Sequence, residues 1–481
     1  MAYKDLQDFL HALEKEGDLA HIKTELDPYL EIAEVTDRVS KKTGPALKFE
    51  SVKGSPFPVV TNVLGSYKRM HMALECEDLE AASHEIAEFL EVEKPDSIVK
   101  KLKLLPKLDR VRKVFPKEVS GGVCQEVVMK GDEVDLTKIP VLTTWPQDAG
   151  PFITLPVVTT KNPETGMRNT GMYRMQVFDK RTTGMHWHRH KGSAYHYHLA
   201  EKRNKPLEVA VAIGPDPVVT YAATAPLPDE LDEMLFAGFL RRAPVEMTKC
   251  LTVDLEVPAN SQFVLEGYVQ PKERRNEGPF GDHTGYYSLA DDYPVFHVTA
   301  LTHRRDAIYP ATLVGPPPME DTYMGKATER LFLPLIKKQL PEVIDLSLPL
   351  EGVFHNMCFV SIDKRYPGQA QKIMYAIWGL GQMMFTKMIV VVDKNVDVQN
   401  TSEVLWRMGN NVDFKRDIVI AEGPLDALDH AAPRAHFGGK IGIDATRKGP
   451  EDGHHRPWPS ALRMSKDVKK RIDGLWSTLG L

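Results

Sequence analysis

Residues 169–192 read NTGMYRMQVFDKRTTGMHWHRHKG, and the reading of this stretch decides how the middle of the chain folds. Two runs of strand character, MYRMQVF and MHWHRH, flank DKRTTG, whose Asp, Lys, Thr and Gly predict a turn. The expectation is a β-hairpin carrying an unusual polar load: Asn169, Arg174, Arg189, Trp187 and the histidines 186, 188 and 190. Strand alternation would put His186, His188 and His190 on one face and Trp187 and Arg189 on the other. A row of imidazoles beside an amide oxygen and a fixed arginine suits a divalent cation held next to a phosphate. Taken alone, the stretch reads equally well as a solvated, His-rich edge strand.

The whole chain sets bounds on both readings. Its 481 residues suffice for about three domains, and 42% hydrophobic with 26% charged residues is the composition of a soluble globular protein. A net charge of -5 gives no reason to expect nucleic acid or an anionic membrane as partner. Cys76, Cys124, Cys250 and Cys358 are far apart and form no CxxC pair, which argues against a zinc-thiolate site or a disulfide framework and fits a reducing cytoplasm. The opening MAYKDLQDFL reads as an amphipathic helix rather than a signal peptide, and no apolar run reaches the length of a membrane span.

Residues 1–117 read as an α/β domain. Leu6, Phe9, Leu10 and Leu13 recur at helical spacing and Gly17 closes that helix. Asp27-Pro28 predicts the start of a second helix ending near Gly44, ALKFESV and FPVVTNV predict strands, and EDLEAASHEIAEFLEV a third helix. Residues 94–117, rich in Lys and Pro, read as a linker. Over 118–313 short strand-like runs dominate (QEVVMKG, ITLPVVTT, LEVAVAIG, EMTKCLTVDLEV, FVLEGYV, VFHVTALTH), as in a β-barrel or sandwich. One helix, PDELDEMLFAGFLRR, interrupts them behind a Pro228-Asp229 cap, with Leu231, Met234, Leu235 and Phe239 as its buried stripe and Glu233 beside it.

Residues 277–287, EGPFGDHTGYY, bring Glu277 and Asp282 together around a tight turn. Acid–base chemistry near neutral pH calls for such a pair, partly buried, with one pKa raised so that it can donate a proton. Residues 314–450 return to α/β: GKATERLFLPLIKKQL and GQAQKIMYAIWGLGQMM predict helices, VIDLSLP and NMCFVSID strands, and KMIVVVD a buried parallel strand with Lys387 at its start. The tail, 451–481, ends in a helical run, DVKKRIDGLWSTLGL, suited to docking on another subunit.

The chain resembles the UbiD-type decarboxylases, which use prenylated FMN. The resemblance runs nearly end to end, through NTGMYRMQVFDKRTTGMHWHRHKG, TYAATAPLP, DEMLFAGFLR, VLEGYV, EGPFGDHTGYY, GKATERLFLPLIKKQ and GGKIGIDATRK. It implies an N-terminal α/β domain, a central split β-barrel like that of flavin reductases, and a C-terminal α/β domain. It also implies a divalent metal, typically manganese, on Asn169, His190 and Glu233, bridging to the cofactor phosphate. The cofactor would lie against Met172, Tyr173, Arg174, Trp187, His188, Lys191, Gly192 and Lys387. The carbonyls of Ala222, Ala223 and Ala225 resemble the family's potassium site. Arg174, Glu277 and Asp282 match its catalytic network, with Asp282 where cinnamate-type members carry Glu.

The implied reaction is non-oxidative loss of an aromatic carboxylate as carbon dioxide, with protonation of the same carbon. TTGMHWHRHK and TYAATAPLP look most like the menaquinone-pathway branch, which implies a dihydroxynaphthoate, prenylated or not. A 4-hydroxy-3-polyprenylbenzoate of ubiquinone biosynthesis is the runner-up, and simple phenolic acids come third. A flavin prenyltransferase would supply the cofactor to a cytoplasmic homo-oligomer, dimer or hexamer, with at most peripheral membrane contact. A flavin reductase on the same barrel is the reading from another class, and the lack of a GxGxxG after a strand counts against its nicotinamide site.

Overall fold

The computed structural model describes residues 2–76, 79–90, 112–188, 192–228 and 231–480. Residues 91–111, and with them most of the expected linker at 94–117, lie outside them. The first helix, Leu6–Lys15, forms as its spacing dictates: Leu6, Phe9, Leu10 and Leu13 are all buried, and Asp5 caps it by accepting a bond from the Asp8 N–H at 2.8 Å. Gly17 ends it in the left-handed region, at φ 69°. The second helix is shorter than expected, Glu31–Ser40. Asp27 does not cap it; its carboxylate accepts the Tyr29 N–H at 2.8 Å, and that local turn outcompetes an earlier helix start. Strands Leu19–Ile22, Ala46–Phe49 and Val59–Thr61 form a sheet whose fourth member, Tyr309–Pro310, arrives from beyond the middle of the chain.

The middle region is built on a seven-stranded antiparallel sheet. Its path runs Thr182–Gly184, Asp291–His303, Phe263–Glu277, Leu207–Ile213, Pro156–Lys161, Arg168–Met172, with Val127–Lys130 also on Asp291–His303. Among the described residues no pairing joins its outer members, so the ladder is open. At Gly267, beside a bulge, a Cβ would lie 1.8 Å from the His297 carbonyl oxygen, so only glycine allows the two longest strands to approach there.

The hairpin around residue 180 is only half as expected. Its turn is there, with the Asp179 side chain accepting the N–H groups of Arg181 and Thr182, each at 2.9 Å. The second arm, however, is Thr182–Gly184, and the described part of MHWHRH leaves the sheet. The reason is the partner strand: Gly184 pairs with Val295, and the next residue there, Pro294, has no N–H to continue the ladder. Its carbonyl takes one last bond from Met185 at 2.9 Å.

Helix Glu233–Leu240 is capped by Asp232, which accepts the N–H groups of Met234 and Leu235; Asp229 lies outside the described residues. EMTKCLTVDLEV gives two strands, Glu246–Lys249 and Glu256–Pro258, because the buried Glu266 carboxylate captures the Leu251 and Thr252 N–H groups between them. In the C-terminal region Met388–Asp393 runs parallel to both Met357–Ile362 and Phe437–Asp444, with Ile389 to Val392 fully buried. Helix Glu320–Gln339 precedes this sheet; helix Gln369–Trp378 stops short of GLGQMM, where Gly381 turns left-handed at φ 42°. The last helix, Lys466–Leu475, is exposed throughout, with Val468, Ile472 and Leu475 among its exposed side chains. No helix among the described residues is long and apolar enough to cross a membrane.

Candidate active site

Arg174 follows strand Arg168–Met172 and reaches across to the end of the longest strand, Phe263–Glu277, and the loop after it. Its Nε donates to Glu277 Oε1 at 3.1 Å, its Nη1 to Asp282 Oδ2, and its Nη2 to the Ser288 hydroxyl at 3.0 Å. Its guanidinium lies 4.7 Å from the centroid of the Phe280 ring. Glu277 and Asp282 are both buried, and the loop between them is pinned where Gln176 accepts the Gly278 N–H and Asp148 the Gly281 N–H. At Gly281 a Cβ would meet Trp145 at 2.1 Å, so this close approach also requires glycine.

Two histidines complete the cluster. His186 Nδ1 lies 2.5 Å from Glu277 Oε2, its ring against Tyr293 at 4.2 Å and His188 at 4.6 Å. A carboxylate only accepts, so the His186 proton sits on Nδ1; its Nε2 is buried with no partner. Burial and the Arg174 charge lower the His186 pKa, which keeps the ring neutral. On the other side His283 Nδ1 lies 2.9 Å from Asp282 Oδ1.

The charges settle differently from the sequence expectation of one raised acid. Burial alone would raise Glu277, but the bond from His186 and the Arg174 charge outweigh it and hold the carboxyl below the usual range. Burial likewise opposes ionisation of Asp282, yet Arg174 and His283 hold it far below that range. Both acids of the pair are therefore ionised at rest. The raised carboxyls stand outside it: burial pushes Asp321, in the first turn of helix Glu320–Gln339, up to about 7, and Glu233 up to about 7.

Glu233 belongs to a second, oxygen-rich corner. Its Oε2 accepts the Thr170 N–H at 2.9 Å, beside Asn169, whose Nδ2 donates to Ser193 Oγ at 3.1 Å. Arg168 and Asp232 clamp the same two elements by an ion pair at 2.6 Å. A Cβ on Gly192 would lie 2.0 Å from Asn169 Oδ1, so helix Gly192–Lys202 begins against that amide. The buried Tyr173 hydroxyl bonds Ser193 and Asn169. A carboxyl pushed up by burial next to an amide oxygen is a donor set that a hard divalent cation fits. His190 and Lys191 lie outside the described residues.

The other expected contacts divide. The Ala223 carbonyl accepts the Met172 N–H at 3.1 Å, and those of Ala222 and Ala225 accept from Ala225 and Leu227, which leaves each carbonyl a second lone pair. Trp187 is buried against Tyr197, and among the described residues its indole N–H has no acceptor; His188 is half-buried. Lys387, expected at the cofactor phosphate, pairs with Asp429 at 2.5 Å. Sequence reading missed Ser288, Tyr293 and Asp321, which carry no motif. It also left His283 without a role, although the residue sits inside GDHTG.

An arginine bonded to two buried, ionised acids gives the chain a cluster equipped to hold a carboxylate. The chain belongs to the UbiD family of carboxy-lyases. Residues 10–89, 117–317 and 322–445 match the N-terminal, Rift-related and C-terminal domains of 3-octaprenyl-4-hydroxybenzoate carboxy-lyase. An uncharacterized protein of Aquifex aeolicus is 53% identical over 100% of this chain and 99% of its own. The vanillic acid decarboxylase of Sedimentibacter hydroxybenzoicus, in its closed form, is 30% identical with a TM-score of 0.85, over 100% of this chain and 99% of that one. The UbiD-class enzyme HmfF of Pelotomaculum thermopropionicum, solved with FMN, is 30% identical with a TM-score of 0.83, over 97% of this chain and 98% of that one.

The clamp makes a pH-dependent prediction. In the parent, two depressed acids contribute stability that is present above their unfolded values, about 4, and lost as pH falls through the folded ones. Arg174→Met leaves Glu277 buried with no cation against it and Asp282 with His283 alone, which costs about 3–5 kcal/mol near neutral pH. Burial then raises Glu277, so it protonates on mild acidification and the deficit shrinks. Thermal melts of both proteins from neutral pH down to about 5, above the usual carboxylate values, check this; a gap that does not change with pH contradicts it.

Proposed function

We propose that this carboxy-lyase removes the carboxylate of a hydroxylated aromatic acid, a hydroxyaryl or naphthoate acid, using prenylated FMN, in quinone biosynthesis of the menaquinone type. The supporting observation is the Arg174 cluster. Arginine has five N–H donors and three are used by Glu277, Asp282 and Ser288, so two remain to orient a substrate carboxylate. With His186 neutral and His283 cationic, the charges of Arg174, His283, Glu277 and Asp282 cancel, and an anionic substrate meets no net repulsion. Glu277 keeps the guanidinium in plane, and His186 keeps Glu277 in place. Asp282, on the other side of the arginine, returns the proton to the carbon that has lost carbon dioxide. Phe280 and Trp145 pack the loop and exclude water from that exchange.

Asn169, Glu233 and His190 would hold a manganese-like divalent ion at the cofactor phosphate, and the carbonyls of Ala222, Ala223 and Ala225 a potassium ion. Met172, Tyr173, Trp187, His188, Lys191 and Gly192 would form the cofactor bed, within a split barrel of which the seven-stranded sheet is the larger part. Bound there, the modified flavin supplies the electron sink for the bond that breaks. A flavin prenyltransferase provides it, and the exposed last helix joins copies of the chain into a homo-oligomer.

Two outcomes test this reading. Holoenzyme given dihydroxynaphthoate, 4-hydroxy-3-polyprenylbenzoate and vanillate-type acids should release carbon dioxide fastest from the naphthoate; turnover of vanillate-type acids alone overturns the quinone assignment. Glu233→Ala should fold yet lose both divalent metal and flavin, read by metal analysis and visible absorbance on the purified protein. Full occupancy of both removes Glu233 from the site.

A further inference from the structure

Among the described residues, the hydrogen bonds of Asp282 narrow how it can regain a proton. Oδ2 accepts from Arg174, which does not deprotonate. Oδ1 accepts the backbone N–H of His283 at 2.8 Å and faces His283 Nδ1 at 2.9 Å. Of these donors only the imidazole titrates. His283 in turn points its Nε2 at the Nε2 of His355, 2.8 Å away and 72 residues on. Two imidazole nitrogens at that distance share one proton between them.

His355 belongs to the C-terminal lobe and is held in place by backbone that the chain adopts at a cost. Val353 and Phe354, neither of them glycine, lie consecutively in the left-handed region at φ 44° and 50°. The turn is tied down where His355 and Asn356 donate to the Gly352 carbonyl, and where the Asn356 carbonyl accepts from Lys387 and Met388 of the central parallel strand. Phe354 stacks on His283 at 5.3 Å, and Gly325 of helix Glu320–Gln339 closes on Phe354, where a Cβ would lie 2.9 Å from its Cβ. His355 Nδ1 is buried without a partner.

We propose that His355, reaching over from the C-terminal lobe, is a positioning residue that reloads Asp282 with a proton through His283 once in each turnover. The inference rests on Asp282 as the donor to carbon. In the step itself the electron pair of the broken carbon–carbon bond stays with the ring carbon as carbon dioxide leaves, and that carbon takes a proton which Asp282, ionised at rest, has drawn from Nδ1 of the His283 imidazolium. Asp282 is then ionised again and His283 is left neutral. With its remaining proton moved to Nδ1, the neutral ring accepts the next proton at Nε2 from His355, which is half-buried and is recharged from solvent. One proton is consumed for each carboxylate removed, as the overall reaction requires.

The surrounding charges agree with that direction. Burial works against charge on His283, but Asp282, Asp321 and Asp426 outweigh it and raise its pKa. His355 is lowered to about 4 by burial and by His283, against the pull of Asp426, Asp282 and Asp429, the last already paired with Lys387. The shared proton therefore rests on His283, next to the acid that needs it.

The test separates proton delivery from bond cleavage in the holoenzyme. Exchange of labelled carbon dioxide into the substrate carboxyl needs the carbon–carbon bond to break and re-form, and no proton from Asp282. Deuterium incorporation into product in heavy water needs the relay. In His355→Gln, which keeps a hydrogen-bonding side chain but cannot pass a proton, deuterium incorporation should fall about 10- to 100-fold. Carbon dioxide exchange and the melting temperature should stay at parent values, and added imidazole should restore part of the deuterium rate in His355→Ala. Equal loss of both exchanges, or loss of neither, overturns the relay. Asp282→Asn, run alongside, keeps the two claims apart. Loss of deuterium there with none in the His355 variants removes only the relay, whereas no loss in Asp282→Asn removes the donor assignment beneath it.

Discussion

The site depends on one cation kept out of water between two buried carboxylates. Glu277 and Asp282, 1% and 7% exposed, are tolerable only because Arg174 and the histidines on their far sides supply bonds to the charged forms. That requirement shapes the surrounding backbone. The longest strand must end at Glu277, the loop must double back through Gly281 against Trp145, and Arg174 must leave its own strand at the point that faces them. The ladder between Thr182–Gly184 and Asp291–His303 stops at Pro294, which releases His186 from the sheet to reach Glu277.

Two consequences follow for chemistry. An ionised pair flanking an arginine suits an anionic substrate but stores no proton, so the donor proposed at Asp282 must be recharged within each cycle. The contacts that can do this lead away from the sheet, through His283, to the C-terminal lobe. The oxygen-rich corner at Asn169 and Glu233 is organised the opposite way. There burial raises the Glu233 carboxyl, and the Thr170 N–H bonds it.

Much of this was legible in the sequence. Periodicity marked the first helix, the parallel strand Met388–Asp393 and the strand-rich middle, and the spacing in EGPFGDHTG marked the two acids. Less was legible wherever a distant partner decides. MHWHRH has strand propensity but its neighbour is Pro294, more than a hundred residues later. Asp27-Pro28 has a helix-starting composition, but Asp27 spends its side chain on a local turn. Direction of titration was the largest error: a close acid pair suggests one raised pKa, and Arg174 between them, with His186 and His283 on their far sides, reverses that. His355 has no local signature at all, since its role arises from a fold that seats two lobes against each other.

The claim that Arg174 holds both acids ionised can be measured directly. A carbon-13 carboxyl titration of the folded protein, with Glu277→Gln and Asp282→Asn used to assign the two signals, reads each site separately. The account predicts that both signals stay at the carboxylate position as the pH is lowered through about 4, where ordinary carboxyls protonate. A midpoint for either acid at or above that value would contradict it.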